Sequence, residues 1–234
     1  MRYQVHTNKG VYIAATIIVC WTGLLAFLLV GYRINPFSPL TYVFVAIQTH
    51  LFTGLFITAH DAMHGVVSRN KKLNKLIGQL CATLFVFNSY KRLFPKHHEH
   101  HQFVKSEKDP DYYEGNFLLW YFHFMKQYVT IWQFILAAIT FNILVAFVPQ
   151  SNVILYWVVP SVLSTFQLFY FGTYLPHKGE HSVNNIHYSR SQKKNHIWAF
   201  FTCYFFGYHY EHHHAPGTPW WLLYKVKEAN LHKW

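Results

Sequence analysis

Four long apolar segments that contain no Asp, Glu, Lys or Arg constrain the fold of this chain most. They cover residues 11–32, 39–59, 128–148 and 153–175. About 20 consecutive apolar residues are enough for a helix to cross the hydrocarbon core of a membrane, where backbone polar groups must be satisfied inside the helix. The segments therefore predict an all-α integral membrane protein with about four transmembrane helices.

The composition agrees with a membrane protein that also has a polar part. Hydrophobic residues make up 52% of the 234 residues, whereas charged residues make up 12%, about half the usual share. The mean hydropathy is nevertheless only +0.08, so polar residues must offset the apolar segments. Histidine supplies part of this offset, because 18 histidines outnumber the 9 acidic residues.

The remaining segments suggest how the chain is organised. Residues 73–94 are apolar but interrupted by polar side chains, which predicts an interfacial helix and not a span. The flank MRYQVHTNKG precedes an apolar run with no small-residue cleavage site after it, so we expect a retained span and not a signal peptide. We expect residues 1–234 to form a single domain.

Basic residues predict the orientation and the partners. Most of them lie in residues 65–127 and 176–234, and cytoplasmic loops are enriched in Lys and Arg. We therefore expect these segments and both chain ends on the cytoplasmic side. The formal net charge of +11 fits anionic lipid headgroups, and we predict no nucleic-acid binding. Three scattered cysteines predict neither a disulfide framework nor a thiolate metal site.

Three histidine clusters lie in the segments that we assign to the cytoplasmic side or at their edges. On a helix, residues i, i+3 and i+4 share a face, so each cluster can direct several imidazoles to one place. The eight positions in this pattern are His60, His64, His97, His100, His101, His209, His212 and His213. Neutral imidazole is the commonest metal ligand, and eight ligands are too many for one ion. The pattern therefore predicts two metal ions.

Isolated histidines support a plainer interpretation, namely contact with lipid headgroups. His50 lies inside the second apolar segment, where it lines a pocket or is simply a satisfied buried side chain. For the three clusters together the metal interpretation is stronger, because crowded polar side chains at membrane depth cost several kcal/mol each when nothing compensates them.

The motifs HxxxH, HxxHH and HxxHH, separated by apolar segments, resemble those of the integral-membrane fatty acid desaturase and hydroxylase superfamily. The strings FITAHDAMHGVVSRN, KDPDYYEG, FGTYLPHK and FGYHYEHHHAP, followed by PWW, are most similar to those of bacterial and cyanobacterial β-carotene ketolases. The resemblance extends over residues 50–222.

The resemblance implies a site of two Fe ions that activates O2 within a cytoplasmic helical cap. It assigns the eight clustered histidines as ligands and adds a ninth from the end of the fourth span, for which His177 fits better than His181. His98 and His214 lie off the motif positions. Many ketolases have histidine where this chain has Phe205, so an essential ligand is not expected there.

Three further residues are candidates for contact with the metal ligands, since a ligating imidazole commonly donates its other N–H to a carboxylate or carbonyl. They are Asp61, Asp111 and His123. Asp109 is a weaker candidate, because the string DPDY also suits a loop turn, and His123 also suits a membrane interface.

By resemblance, the chain oxidises the C4 methylene of carotenoid β-ionone rings to a ketone in a bacterial inner membrane. The implied partners are a carotenoid dissolved in the lipid and a separate electron donor such as ferredoxin, because the chain has no dinucleotide fingerprint. The alternatives are a carotenoid ring hydroxylase, an acyl-lipid desaturase and, from a different class, a histidine-rich metal transporter. A transporter would be expected to place ionisable groups within several spans, whereas only His50 interrupts one here.

Overall fold

The computed structural model describes residues 8–229, and every regular element in that range is a helix. The predicted positions of both chain ends lie outside the described residues. The helices are α1 (Lys9–Val30), α2 (Pro39–Met63), α3 (Lys71–Leu84), α4 (Tyr90–Phe103), α5 (Phe117–Tyr128), α6 (Ile131–Val145), α7 (Gln150–His177), α8 (His196–Cys203), α9 (His209–His214) and α10 (Leu223–Glu228). Three of them, α1, α2 and α7, are long and apolar enough to cross a membrane.

The first two predicted spans are present with shifted ends. Helix α1 begins and ends two residues earlier than predicted. Helix α2 starts at Pro39 as predicted, because proline is favoured in the first turn, but it continues four residues past the predicted end. His60 therefore lies inside the helix and His64 caps it.

The third predicted span, over 128–148, corresponds to α6 and the end of α5, whose axes are bent by 86°. The structure therefore has three candidate spans, or four if this bent pair is counted as one span. Val129 and Thr130 between them are extended, and the Thr130 side chain accepts the N–H of Gln133 while the Gln133 side chain accepts the N–H of Thr130. This capping box starts a new helix at Ile131, so hydropathy alone missed the bend.

The predicted interfacial helix over 73–94 is also corrected, because two helices share this segment. Asn70 caps the start of α3 by accepting two backbone N–H groups, and α3 ends before Val86 and Phe87, whose φ angles are 52° and 56°. A left-handed φ is costly for a β-branched residue and stops a right-handed helix. The chain then enters α4, which carries the second histidine cluster.

Helix α7 runs over 28 residues, three residues beyond the predicted 153–175 at its start and two at its end, with π-helical turns at Ile154–Val158 and Tyr170–Tyr174. It ends at His177, after which Lys178 is extended. Helix α2 packs between α1, α3 and α7 and contributes the most deeply buried apolar residues of the core. Because α2 and α7 are neighbours, their histidine-bearing ends lie side by side.

Candidate metal centre

The ends of four helices place nine histidines around one interior region. Helix α2 contributes His60 and His64, and α7 contributes His177. Helices α4 and α9 each contribute three histidines at i, i+3 and i+4, as the motif spacing predicts. Six of the nine are buried, and the other three, His64, His97 and His101, are half-buried.

The nine histidines divide into two groups whose ligand atoms lie within 4.8 Å of one another. We call His60, His64, His97, His101 and His212 the first histidine group, and His100, His177, His209 and His213 the second. Each HxxHH motif is divided between the two groups. The groups therefore depend on how α4 and α9 cross, not on either motif alone.

The spacing between imidazole nitrogens suits a shared cation. A metal–imidazole bond is about 2.0–2.1 Å long for zinc, so two imidazoles at a right angle on one ion have nitrogens about 3 Å apart. In the first group, Nε2 of His101 lies 2.9 Å from Nε2 of His212. In the second group, Nε2 of His213 lies 3.1 Å from Nε2 of His100 and 2.9 Å from Nε2 of His209.

Orphaned ring nitrogens support the same conclusion. Nε2 of His60 and Nε2 of His177 are buried without a hydrogen-bond partner among the described residues. Burying a polar atom without a partner costs free energy, and a bound metal removes that cost. The residues present therefore fit one ion in each group.

Burial keeps most of these imidazoles neutral. It lowers the pKa of His64, His97 and His101 well below the usual range, and neighbouring histidines lower it further. The same two causes lower the pKa of His209, His212 and His213 on α9. Only the neutral imidazole binds a metal, so the site is prepared for cations at physiological pH.

His100 differs because two carboxylates lie beside it. Burial by itself lowers the pKa of His100, but the charges of Asp111 and Asp109 raise it above the usual range. His100 Nδ1 donates to Asp109 at 2.8 Å and lies 3.8 Å from Asp111. Burial raises the pKa of Asp111 to about 6, and the bond to His100 helps to lower that of Asp109.

The three candidate carboxylates differ in how closely they approach the histidine rings. Asp61 lies 3.4 Å from His60 Nδ1 and accepts the backbone N–H of Trp220 at 2.9 Å. Asp109, the weaker candidate by sequence, makes the shortest carboxylate contact with a ring of either group, because the DPDY turn directs its carboxylate at α4. Asp111 instead accepts the hydroxyl of Tyr128.

The structure does not bring His123 to the site, which corrects its prediction. Its ring stacks on Tyr113 at 4.9 Å and its Nε2 is 3.4 Å from the Gln127 side chain. The reason is the bend after α5, which turns that helix so that His123 faces the 112–113 loop. His50 also lies elsewhere, stacked on Tyr204 at 4.2 Å.

The structure distinguishes the two candidates for the ninth position. His177 Nδ1 donates to the carbonyl of Tyr188 at 2.8 Å, which leaves Nε2 directed toward the second group. His181 Nε2 faces the carbonyl of His177 at 3.2 Å and belongs to neither group. His98 and His214 are exposed and also lie outside both groups.

An apolar cavity of about 40 Å³ reaches the two groups from inside the helical bundle, and we call it the metal-side cavity. Four motif histidines form one wall, namely His60, His97, His100 and His209. Phe206, whose ring lies 4.7 Å from that of His60 and 5.2 Å from that of His209, forms another wall. Glycine at 172 permits this packing, since a Cβ there would lie 2.7 Å from Phe206.

A larger cavity of about 180 Å³ lies in the bend between α5 and α6, and we call it the elbow cavity. Both cavities share four wall residues, Phe56, Phe124, Tyr128 and Leu168. The elbow cavity is lined by Phe134, which is 64% exposed on the outer surface of α6. The two cavities are therefore neighbours, with the elbow cavity at the outer surface of α6 and the metal-side cavity against the histidines.

Sequence reasoning missed Phe206, Tyr128 and Thr173, which all line the metal-side cavity. Two of them belong to strings quoted above: Phe206 is the first residue of FGYHYEHHHAP, and Thr173 lies in FGTYLPHK. Neither motif indicates which side chain faces a cavity. Tyr128 carried no signal, because it appeared to begin a membrane span.

Comparisons with known proteins agree with the motif pattern. Residues 37–234 match the family model described as fatty acid desaturase. A zeaxanthin 4-ketolase of Chlamydomonas reinhardtii is 37% identical, over 97% of this chain and 57% of its own length. A β-carotene ketolase of Haematococcus lacustris is 36% identical, over 92% of this chain and 78% of its own.

A bacterial relative is covered more completely. A β-carotene ketolase of Paracoccus sp. (strain PC1) is 36% identical, over 93% of this chain and 91% of its own length. The chain thus spans just over half of the Chlamydomonas protein and nearly all of the Paracoccus protein. No solved structure matches the chain.

Proposed function

This chain belongs to the fatty acid desaturase family, and we propose that within it the chain is an O2-dependent ketolase of carotenoid rings. The proposed reaction converts the C4 methylene of a β-ionone ring to a ketone. The names of the relatives support this substrate class. We also propose that residues 1–234 act as one domain, since α2, α4, α7 and α9 all contribute to one site.

One observation carries the proposal: two neighbouring apolar cavities, which share four wall residues, lie between the outer surface of α6 and the two histidine groups. A carotenoid is a long hydrocarbon that dissolves in the bilayer and offers few polar atoms for recognition. A cavity lined by aromatic and aliphatic side chains binds such a molecule by excluding water from both surfaces. The elbow cavity has this lining, and four of the histidines line the neighbouring metal-side cavity.

We propose that the two histidine groups hold two Fe ions. Imidazole suits iron among other divalent metals, and iron with O2 supplies the oxidising power to break an allylic C–H bond, which no protein side chain can supply. The first group would hold one ion with five imidazoles and the second would hold the other with four. Asp109 would orient His100, and the carbonyl of Tyr188 would orient His177.

The protein orients the substrate and excludes water from the histidine groups. Phe56, Phe124 and Leu168 line both cavities, so they would limit the orientations in which a flat ring approaches the histidines. Holding the reacting groups in one geometry lowers the entropic part of a barrier. The burial of six of the nine histidines keeps bulk water from competing for the oxidant.

The overall stoichiometry requires an external reductant. One ring CH2 with O2, two electrons and two protons gives CHOH and water. A second O2 with two electrons and two protons gives the gem-diol and water, and the gem-diol loses water to leave the ketone. We propose that a ferredoxin or similar protein delivers these electrons from the cytoplasm. The basic residues of the loops beside the histidines support this orientation, because cytoplasmic loops are enriched in Lys and Arg. We further propose a bacterial inner membrane as the location.

Pigment analysis in bacteria that make β-carotene tests the proposal. Expression of the chain should convert β-carotene into redder carotenoids with ketone groups at C4, identified by mass and absorption spectrum. Hydroxylated products alone would indicate a ring hydroxylase, and altered acyl chains with unchanged β-carotene would indicate a desaturase. Unchanged pigments and lipids, with the protein present in the membrane and loaded with iron, would overturn the proposed function.

A further inference from the structure

Thr173 is a buried polar residue in the wall of the metal-side cavity. It is 3% exposed and lies on α7, one helical turn before His177, so both residues occupy the same face. The cavity wall that Thr173 shares also contains His100 and His209 of the second group. Its hydroxyl is therefore placed where the reacting carbon must come.

The hydroxyl of Thr173 makes no hydrogen bond to any residue between 8 and 229. Other buried threonines of the spans do make such bonds, for example Thr58, whose Oγ1 donates to the carbonyl of Gly54 at 2.8 Å. Thr173 lies in the π-helical turn Tyr170–Tyr174, and π-helical turns are frequent at functional sites. Its Oγ1 is also absent from the set of fully buried, unpartnered polar atoms, so this atom keeps some accessible surface.

The other polar side chains of this cavity wall have assigned roles. Four are histidines of the two groups, which would hold the metal ions, and the remaining two are joined, because the Tyr128 hydroxyl donates to Asp111. A hydroxyl both donates and accepts hydrogen bonds, but a hydrocarbon substrate offers it neither a donor nor an acceptor. The substrate provides a hydrogen-bond partner for Thr173 only after oxygen has been added to the ring.

We propose that the Thr173 hydroxyl hydrogen-bonds the oxygen that the first oxidation places on the ring carbon. This inference rests on the proposed function. The alcohol carries one remaining C–H bond at the same carbon, and a second oxidation needs O2, two further electrons from the donor protein and two protons. By holding the alcohol oxygen, Thr173 directs that C–H bond toward the histidine groups and retains the alcohol until it is oxidised.

The ratio of alcohol to ketone products tests this role. Thr173→Val keeps the size and removes the hydroxyl, so alcohol should accumulate and the ratio should rise about five- to tenfold, the effect of one buried hydrogen bond. Thr173→Ser restores the hydroxyl and should restore the ratio. Thr58→Val is the matched control, equally buried at 3%, and should leave the ratio unchanged. If Thr173→Val does not accumulate, Thr173→Ala replaces it.

Binding to metal-free protein gives a second measurement that does not depend on turnover. Quenching of the fluorescence of the eight tryptophans by β-carotene and by its 4-hydroxy derivative gives two affinities in detergent. Thr173→Val should weaken binding of the alcohol by a similar factor and leave binding of the hydrocarbon unchanged.

The outcomes separate this inference from the proposed function. Ketone formation by the unmodified chain, together with an unchanged product ratio and unchanged relative affinity in Thr173→Val, would overturn the role of Thr173 alone. Equal slowing of both oxidations would overturn it as well, because the hydroxyl would then act before the alcohol forms. Absence of any oxidised carotenoid from the unmodified chain would overturn the proposed function.

Discussion

The Nδ1 atom of His100 lies 2.8 Å from the carboxylate of Asp109, and both side chains are buried. The carboxylate also accepts the backbone N–H groups of Lys105 and Asp111 at 2.8 and 2.9 Å. The loop after α4 thus holds Asp109 rigidly, and Asp109 holds the His100 ring with Nε2 directed at the second group. The bond joins a loop turn to one proposed ligand.

Replacing Asp109 should therefore weaken metal binding at the second group. We expect Asp109→Asn to lower iron affinity about 10- to 100-fold, the usual effect of losing a carboxylate behind a ligating histidine. Iron content per chain, measured by mass spectrometry at limiting iron, should fall toward one. Glu107→Gln, at an exposed position in the same loop, is the control. Full iron content in Asp109→Asn would contradict the assigned role.

Single alanine substitutions should separate the nine grouped histidines from their neighbours. Any of the nine changed to Ala should abolish ketone formation, because a ligand is lost, while the protein still inserts in the membrane. His98→Ala and His214→Ala should retain activity, since both side chains are exposed and outside the groups. An inactive His98→Ala beside an active His97→Ala would show that the second motif is assigned in the wrong register.

The ninth position can be tested with a carboxamide. His177→Gln should lose iron and activity, because glutamine does not replace the imidazole Nε2 that faces the second group. His181→Gln should be nearly silent, since its ring faces a backbone carbonyl and lies outside both groups. Iron content and carotenoid products are measured for both variants. A silent His177→Gln with an inactive His181→Gln would move the ninth ligand along the chain.

Filling the elbow cavity should block the substrate without removing the metal. Ala137 lines that cavity, and Ala137→Trp should lower the rate of ketone formation about tenfold or more, because the indole would occupy the space proposed for the substrate. Ala138→Trp places the same side chain at the adjacent exposed position and should have little effect. Equal activity of the two variants, at equal iron content, would exclude the elbow cavity as the substrate route.

A buried ion pair should stabilise the third histidine motif. Glu211 is 0% exposed, and its carboxylate lies 3.2 Å from Lys227 Nζ on α10 and 2.7 Å from the Ser191 hydroxyl. Lys227→Met leaves this carboxylate without its cation and should destabilise the protein by about 3 kcal/mol. The melting temperature in detergent should fall, whereas the exposed control Lys225→Met should not change it. An unchanged melting temperature for Lys227→Met would show that the pair contributes nothing.

Local patterns in the sequence determined much of this protein. Apolar runs identified three of the four spans to within a few residues, because the length of an uncharged run is a local property. Helical periodicity identified eight of the nine histidines that the structure groups, since i, i+3 and i+4 share a face of any helix, and the family resemblance supplied the ninth, His177. The capping box at Thr130 was also present in the sequence, but the apolar residues around it concealed the bend.

Only the tertiary structure decided which histidines share a group. His100 and His101 are adjacent in the chain, yet they belong to different groups, because that division depends on where α4 passes between α2, α7 and α9. The same holds for Asp109, which the DPDY turn brings to His100, and for Thr173, which faces a cavity formed by distant helices. Periodicity assigns a side chain to a face of its own helix, whereas the neighbour on that face is set by packing between segments far apart in the chain.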